Sequence, residues 1–279
     1  FTASGEVNGY TVSYMQTSKD QFAGMSSARL SIDMGDMGLL ALDQGSGSGL
    51  ATIDDKTPTA AEEIWDGLDT TTSGRVGAVG SSGVVNYVTD IEGFNINAAF
   101  RKGASGNAAD GATSGEGLGS GYDFAITTSN TGVDGLTLGA GYGKVEVGQK
   151  LVVTGAANGD KTDATAFATY NVGMVSLGYQ MSVEDNNVSA TGTGTGDQES
   201  TRWGVALNIN ENLSVSYGEA ETEYLHPSAT AVTEDVEGIA IAYTMGAMKI
   251  AGNRNEGGDM AGVAGANDKM TEIALSFAF

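Results

Sequence analysis

The chain contains no cysteine, which excludes disulfides, thiolate metal ligands and cysteine nucleophiles. Basic residues are scarce, 13 Lys and Arg against 35 Asp and Glu, for a net charge of −22. A nucleic-acid partner bound through a basic face is thereby excluded. No apolar run approaches the roughly 18 residues of a membrane helix. The longest nearly uncharged stretch lies around Gly238 to Met248. Charged residues make up only 17% of the chain, too few for a solvated disordered polymer. Proline is nearly absent, with 2 residues against 43 glycines, which excludes a collagen-like repeat. Residue 1 is Phe and no signal peptide is visible, so the reading is of a mature, truncated or partial chain.

What the chain does contain is alternation. In Thr271–Phe279, Ile273, Leu275, Phe277 and Phe279 point one way and Glu272, Ala274, Ser276 and Ala278 the other. The same period of two runs through Trp203–Ile209, Val175–Val183, Leu136–Gly143, Phe94–Arg101, Tyr10–Tyr14, Ala28–Met34, Tyr122–Thr127, Leu213–Tyr217 and Gly238–Thr244. About fourteen such segments in succession, with almost no helical period between them, predict an all-β meander. One face of each strand is large and apolar. The other is Gly, Ser, Thr, Ala and Asn. A soluble barrel or sandwich would need bulky apolar residues on that second face to fill its core. A membrane barrel turns the apolar face to lipid and lines a watery lumen with the small polar one.

The connections also alternate. Short ones fall at Gly5–Gly9, Gly35–Gly38, Thr89–Gly93, Thr131–Gly135, Asn171–Gly173, Asn210–Asn212 and Met245–Gly246. Long ones fall at Gly45–Ser81, Lys102–Ser120, Val145–Asp163, Glu184–Glu199, Glu221–Asp235 and Arg254–Asp268. An up-and-down barrel with short turns on one rim and long loops on the other has this asymmetry. Aromatics near strand ends, such as Tyr10, Tyr87, Phe94, Tyr122, Tyr142, Tyr170, Tyr217, Tyr243 and Phe277, suit two interfacial girdles. The domain reading is a single barrel over residues 1–279 with a distinctive loop at 45–81.

Enzyme chemistry finds little support. His226 stands beside Pro227 in a long connection, and its spacing to Glu223, Ser228 and Asp235 is not diagnostic of a triad. Gly139–Gly143 alternates like a strand and leads into no helix, so it is not a phosphate loop. Glycine-rich calcium solenoids are excluded by the lack of a fixed period.

Several motifs, in order, carry a family resemblance. They are Phe1–Gly5 followed by Tyr10–Gln16; Ser27–Gly38 with its Gly-Asp-x-Gly turn, then Leu39–Asp43; Ser73–Val79 and Val84–Val88; and Ile91–Phe94. So ordered, the chain resembles the trimeric general porins of Gram-negative bacteria, especially those of alphaproteobacteria. The resemblance implies a 16-stranded transmembrane up-and-down antiparallel β-barrel in the bacterial outer membrane. It also implies a homotrimer in contact with outer-membrane lipid and lipopolysaccharide, passing small hydrophilic solutes. On that frame Phe1 falls inside the second strand, about 14 complete strands are present, and the N-terminus is incomplete. A smaller native barrel is the alternative. Phe279 matches the family's assembly signal.

In that family the 45–81 loop folds inward and narrows the channel. Its segment Thr59–Asp69 places Thr57 or Thr59 to cap a short helical turn, with Glu62 and Glu63 at its N-terminal end. Ile64, Trp65 and Leu68 are its expected anchors to the wall. The acidic side of the constriction is expected from Asp54, Asp55, Glu62, Glu63, Asp66 and Asp69, with Asp66 and Asp69 the leading candidates. Alternation points Arg29, Arg75, Arg101, Arg202 and Lys249 inward, and the resemblance places Arg29 and Arg75 at basic eyelet positions. Opposed charges of this kind orient dipolar solutes and filter ions by sign.

The functional expectation is a passive, weakly cation-preferring diffusion channel that needs no cofactor. The alternatives are a substrate-specific channel or a plugged structural or adhesive barrel. Acids near the long-loop rim, Asp110, Glu116, Asp160, Asp163, Glu184, Asp185, Glu221, Glu223, Glu234 and Asp235, are candidates to share calcium or magnesium with lipopolysaccharide phosphates.

Overall fold

The computed structural model describes residues 1–19, 24–45, 47–68, 76–77, 79, 82–103, 118–147, 160–186, 196–225 and 230–278. They form one sheet of 15 strands in which every strand pairs antiparallel with its sequence neighbours. The strands are β1 Thr2–Val7, β2 Tyr10–Ser18, β3 Met25–Asp33, β4 Leu39–Gln44, β5 Ser82–Ile91, β6 Phe94–Arg101, β7 Leu118–Thr128 and β8 Leu136–Val147. They continue as β9 Lys161–Val172, β10 Val175–Asp185, β11 Asp197–Asn208, β12 Leu213–Leu225, β13 Val232–Met245, β14 Met248–Gly258 and β15 Asp268–Phe277. No helix among the described residues is long and apolar enough to cross a membrane. β1 and β15 are the edges of the sheet. Being odd-numbered in an antiparallel meander, they run in the same direction.

Period-two sequence becomes two-faced wall. On β10 the side chains of Leu177, Tyr179, Met181 and Val183 are exposed on the outside, and Gly178, Gln180 and Ser182 are buried on the inside. From Val175 to Val183 the outward apolar row covers about 26 Å along the strand, enough for the band of a membrane barrel. Leu275 and Ile273 on β15 are 57% and 78% exposed, which marks their face as the outer one. Exposed Tyr10, Tyr87, Phe94, Tyr122, Tyr142, Tyr243 and Phe277 lie on that same outer surface. Short turns pin the register. Asn8-Gly9 and Glu92-Gly93 both have two consecutive positive φ values, the twist that a tight antiparallel hairpin requires.

Two expectations are revised. The connection expected over Glu221–Asp235 is mostly strand, since β12 runs to Leu225 and β13 starts at Val232. Glu221, Glu223 and Asp235 therefore sit on the outer face of a wall, beside Glu219 and Glu237. Their inward neighbours Ala220, Thr222, Tyr224 and Val236 are buried, and that packing extends the ladder through what reads as an acidic loop. Tyr217 donates its hydroxyl to Glu219 Oε1 (2.5 Å) and Glu237 Oε2 (2.9 Å), and Trp203 Nε1 donates to Glu219 Oε2 (3.2 Å). The second revision concerns the 45–81 loop. Its helical turn lies at Gly49–Ile53, as a 3-10 helix, and residues 59–68 form turns instead. There Thr59 Oγ1 donates to Glu62 O and accepts from Ala61 N–H, a local closure that replaces a helix cap.

The two-faced wall predicts opposite outcomes for adjacent positions. Leu177→Lys on the outer face, between the end and the middle of the Val175–Val183 row, should lower unfolding stability in lipid bilayers by about 1–2 kcal/mol. Ser176→Lys on the inner face should leave it nearly unchanged. Denaturant titration in vesicles reads the difference, and equal effects would contradict the assignment of faces.

Candidate functional site

Residues 47–68, between β4 and β5, leave the rim and run along the inside of the wall. An irregular segment has amides and carbonyls that no ladder satisfies, and here the wall supplies partners strand by strand. Asn97 on β6 accepts from Gly49 N–H (2.8 Å), and Asp123 on β7 accepts from Leu50 N–H (3.0 Å). Gln180 on β10 accepts from Lys56 N–H and donates to Ile53 O, both at 2.8 Å. Arg202 on β11 donates to Asp54 O (2.9 Å), and Ser216 on β12 accepts from Ala60 N–H (2.9 Å). Asn255 on β14 donates to Glu63 O (3.0 Å) and Asp66 O (2.9 Å). On the return, Val79 N–H donates to the second Asp123 oxygen (3.0 Å) and Gly77 N–H to Asp163 (3.1 Å). One carboxylate, Asp123, thus grips both arms of the loop.

Apolar contacts complete the attachment. Leu50, Ile53, Val76 and Val79 pack on Val84, Ala99, Ala125, Val145 and Phe167 of the wall. Trp65 and Leu68 pack on Ala220, Val236 and Met260, with Ile64 beside them. Each fully buried side chain of this size contributes about 1.5–3 kcal/mol. Between the two clusters the loop rests on bare backbone. Gly178, Gly204, Gly218 and Gly238 are direct cross-strand neighbours on β10 to β13. A Cβ at Gly178 would collide with the Pro58 ring. At Gly204 it would meet Pro58 O at 3.1 Å, at Gly218 Ile64 Cγ2 at 3.2 Å, and at Gly238 Ile64 Cα at 3.0 Å. Four aligned glycines form a track on which the loop lies.

The expected acids divide as follows. Asp54, Asp55, Glu63 and Asp66 are half-buried on the loop and Glu62 is exposed, while Asp69 lies outside the described residues. Asp55 accepts from Thr57 N–H and Oγ1–H, turning back on its own loop. Burial pushes the Glu63 carboxyl above its ordinary value, the neighbouring Asp55, Glu62 and Asp66 push the same way, and a backbone hydrogen bond partly opposes them. Among the described residues, no salt bridge neutralises Asp55, Glu62, Glu63 or Asp66.

The expected bases are more dispersed. Arg29 faces inward on β3, donates to Asn86 Oδ1, Ser48 Oγ and Gly47 O, and pairs with Asp43 at 3.4 Å. It therefore ties the start of the loop to the wall. Arg101 faces inward at the end of β6, with its Nε and Nη2 buried. Arg202 is 1% exposed. It lies beneath the loop with its guanidinium 4.8 Å from the Trp65 ring centroid, a cation–π contact. Lys249 is an exposed inward residue near a short turn. Arg75, Phe279, His226, Ser228, Asp110 and Glu116 lie outside the described residues. Among the described residues, no three carboxylates or histidines converge on a metal-sized site.

The described residues thus form a single up-and-down sheet with an inward-folded, wall-anchored loop. No family model matches the chain and no curated protein matches it. Solved structures do. The anion-selective porin from Comamonas acidovorans superposes with a TM-score of 0.68 at 14% identity, covering 100% of this chain and 88% of that one. Salmonella typhi OmpF, in complex with daunomycin, gives 0.67 at 13% identity over 99% and 88%. A mutant of the Rh. blastica porin gives 0.60 at 15% identity over 100% and 88%. The chain has the fold of the porins.

The glycine track makes a prediction. Gly178→Val should lift Pro58 from the wall and lower single-channel conductance. Gly5→Ala, where a Cβ meets nothing within 4 Å, should leave conductance unchanged. Equal conductance in both variants would mean that the loop does not rest on Gly178.

Proposed function

We propose that this protein is a passive outer-membrane diffusion channel for ions and small hydrophilic solutes, with a weak preference for cations. The observation that carries the reading is the loop itself. It follows the inner wall from β6 to β14, and over residues 47–68 it carries Asp54, Asp55, Glu62, Glu63 and Asp66 against Lys56 alone. Fixed charge of one sign at a narrow point raises the local concentration of the opposite ion and excludes its own. Of the inward arginines, Arg29 pairs with Asp43, and Arg202 lies beneath the loop against Trp65; the loop's own charge is the acidic one. Asp66 and Asp69 remain the proposed acidic side of the constriction, and Arg29 and Arg75 the proposed basic side.

A homotrimer fits this reading, since Vibrio cholerae OmpT in its trimer form is similar in structure, with a TM-score of 0.57 at 12% identity over 89% and 74% of the chains. The outward acids Glu219, Glu221, Glu223, Asp235 and Glu237 stand toward the long-loop rim. Divalent calcium or magnesium bridging to lipopolysaccharide phosphates is the chemistry that suits them there. No catalytic role and no resident cofactor enter this proposal, and Phe279 is proposed as the assembly signal.

Reversal potentials across a planar bilayer under a KCl gradient test the preference. The expected result is a cation permeability modestly above that of chloride, reduced by the pair Glu63→Gln and Asp66→Asn. Anion preference in the wild type would overturn the reading. The pH dependence has a definite sign. Because the Glu63 carboxyl is held above its ordinary value, it gains its proton at a higher pH than an exposed glutamate would. Cation preference should therefore begin to fall above the usual carboxylate range as pH is lowered. For stability, the folded chain binds more protons than the unfolded one between the ordinary and the raised value. The Glu63 contribution should thus decline as pH rises through that window. A Glu63→Gln variant should lack this early component; an identical pH profile would remove Glu63 from the constriction.

A further inference from the structure

Beneath the loop, on the side of the short turns, the inner wall holds a recess of about 340 Å3, within the range of small-molecule sites. Its roof is the loop turn that carries Lys56. Its wall is the lower inner face of β6 to β9, where Asn95 lies directly across from Thr127, and Thr137 directly across from Thr169. One aromatic, Phe167, lines it as well, with its ring over the bare backbone of Gly139.

The charge of this recess runs against the rest of the molecule. The chain has 35 acids and 13 bases, yet among the described residues no carboxylate lines the recess and one ammonium does. Behind the lining, Asp90 accepts from the Asn95 side-chain amide at 3.2 Å. Among the described residues, Lys56 Nζ makes no ion pair and no hydrogen bond, and the hydroxyls of Thr127 and Thr169 are likewise unengaged. A lysine present only to balance its acidic neighbours would pair with one of them. Asp55 instead accepts from Thr57. The turn is also held in place, because Gln180 grips both Lys56 N–H and Ile53 O. Three ammonium donors, a row of hydroxyl and amide groups, and one apolar ring are therefore presented on a fixed frame.

We infer that this recess is a binding station for a small polyhydroxylated carboxylate, such as a sugar acid. Its carboxylate meets Lys56, its hydroxyls meet Asn95, Thr127 and Thr169, and its C–H face lies on Phe167. An ammonium–carboxylate hydrogen bond is of the stronger, charge-assisted kind, so the acid binds more tightly than the neutral sugar of the same shape. The inference rests on the channel reading only in that the solute reaches the recess from the lumen.

The test is calorimetric titration of the detergent-solubilised full chain with gluconate and with glucose, beside planar-bilayer conductance of the same preparation. Gluconate should bind with a Kd on the order of 1 mM, and glucose about tenfold more weakly. Lys56→Gln should reduce gluconate affinity about tenfold and leave glucose affinity unchanged. Thr169→Val, a second variant that keeps the charge, should weaken both ligands. Gluconate bound no better than glucose, or equally by Lys56→Gln, overturns the inference. A chain that conducts but binds no gluconate loses the recess and keeps the channel. A chain that does not conduct but binds gluconate through Lys56 keeps the recess and loses the channel.

Discussion

In hydrocarbon an amide without a partner has no water to turn to, and each such group costs several kcal/mol. That constraint organises the sheet. It requires an unbroken antiparallel ladder from β1 to β15, and a ladder imposes the period of two that separates Leu177 from Gly178 and Ile241 from Ala240. A second accounting holds inside, where the described loop residues 47–68 make no ladder of their own and are packed on the wall. Their amides and carbonyls are taken one by one by Asn97, Asp123, Gln180, Ser216 and Asn255. Wall and loop thus satisfy their hydrogen bonds in two ways, the first by backbone and the second by side chains.

Electrostatics follows from that attachment. A guanidinium that hydrogen-bonds loop carbonyls and stacks on an indole, as Arg202 does with Asp54 and Trp65, acts chiefly as a fastener. Arg29 has a similar part at the loop entrance, through Gly47, Ser48 and Asp43. The carboxylates of Asp55, Glu62, Glu63 and Asp66 have no such duty among the described residues. Anchoring therefore sorts the charges. Arg29 and Arg202 are held at the wall with the anchoring carboxylates Asp43 and Asp123, while Asp55, Glu62, Glu63 and Asp66 make no salt bridge among the described residues.

Most of the fold was legible in the sequence because each strand carries its own two-faced pattern. The face of a side chain follows from parity alone, which puts Arg29, Arg101 and Arg202 on the inward face. Parity does not tell whether something covers an inward residue, and Arg202 is covered. The glycine track was beyond reach for another reason. Gly178, Gly204, Gly218 and Gly238 become a row only when the pairing register is known, and neighbouring loop lengths do not set that register to the residue. Glu221 and Asp235 read as loop because acids are common there. They belong to strands because their inward neighbours Ala220 and Val236 are packed beneath the loop and Met260. Gln180, Asn255 and Asp123 gave a signal in being large polar residues among small inward ones, but their partners, which are loop amides, have no signature of their own.

The distance along the chain between the loop and its anchors carries a consequence for assembly. Lys56 is held by a residue 124 positions later, and Glu63 by one 192 positions later. Contacts of such long range are the slowest to form, since nearly the whole polymer must be ordered before they begin to repay the entropy of closing so large a circuit. The hairpins, by contrast, join immediate neighbours and can zip in succession. The inward loop is therefore the last part of the molecule to take shape, after the surface that supports it is almost entirely laid down.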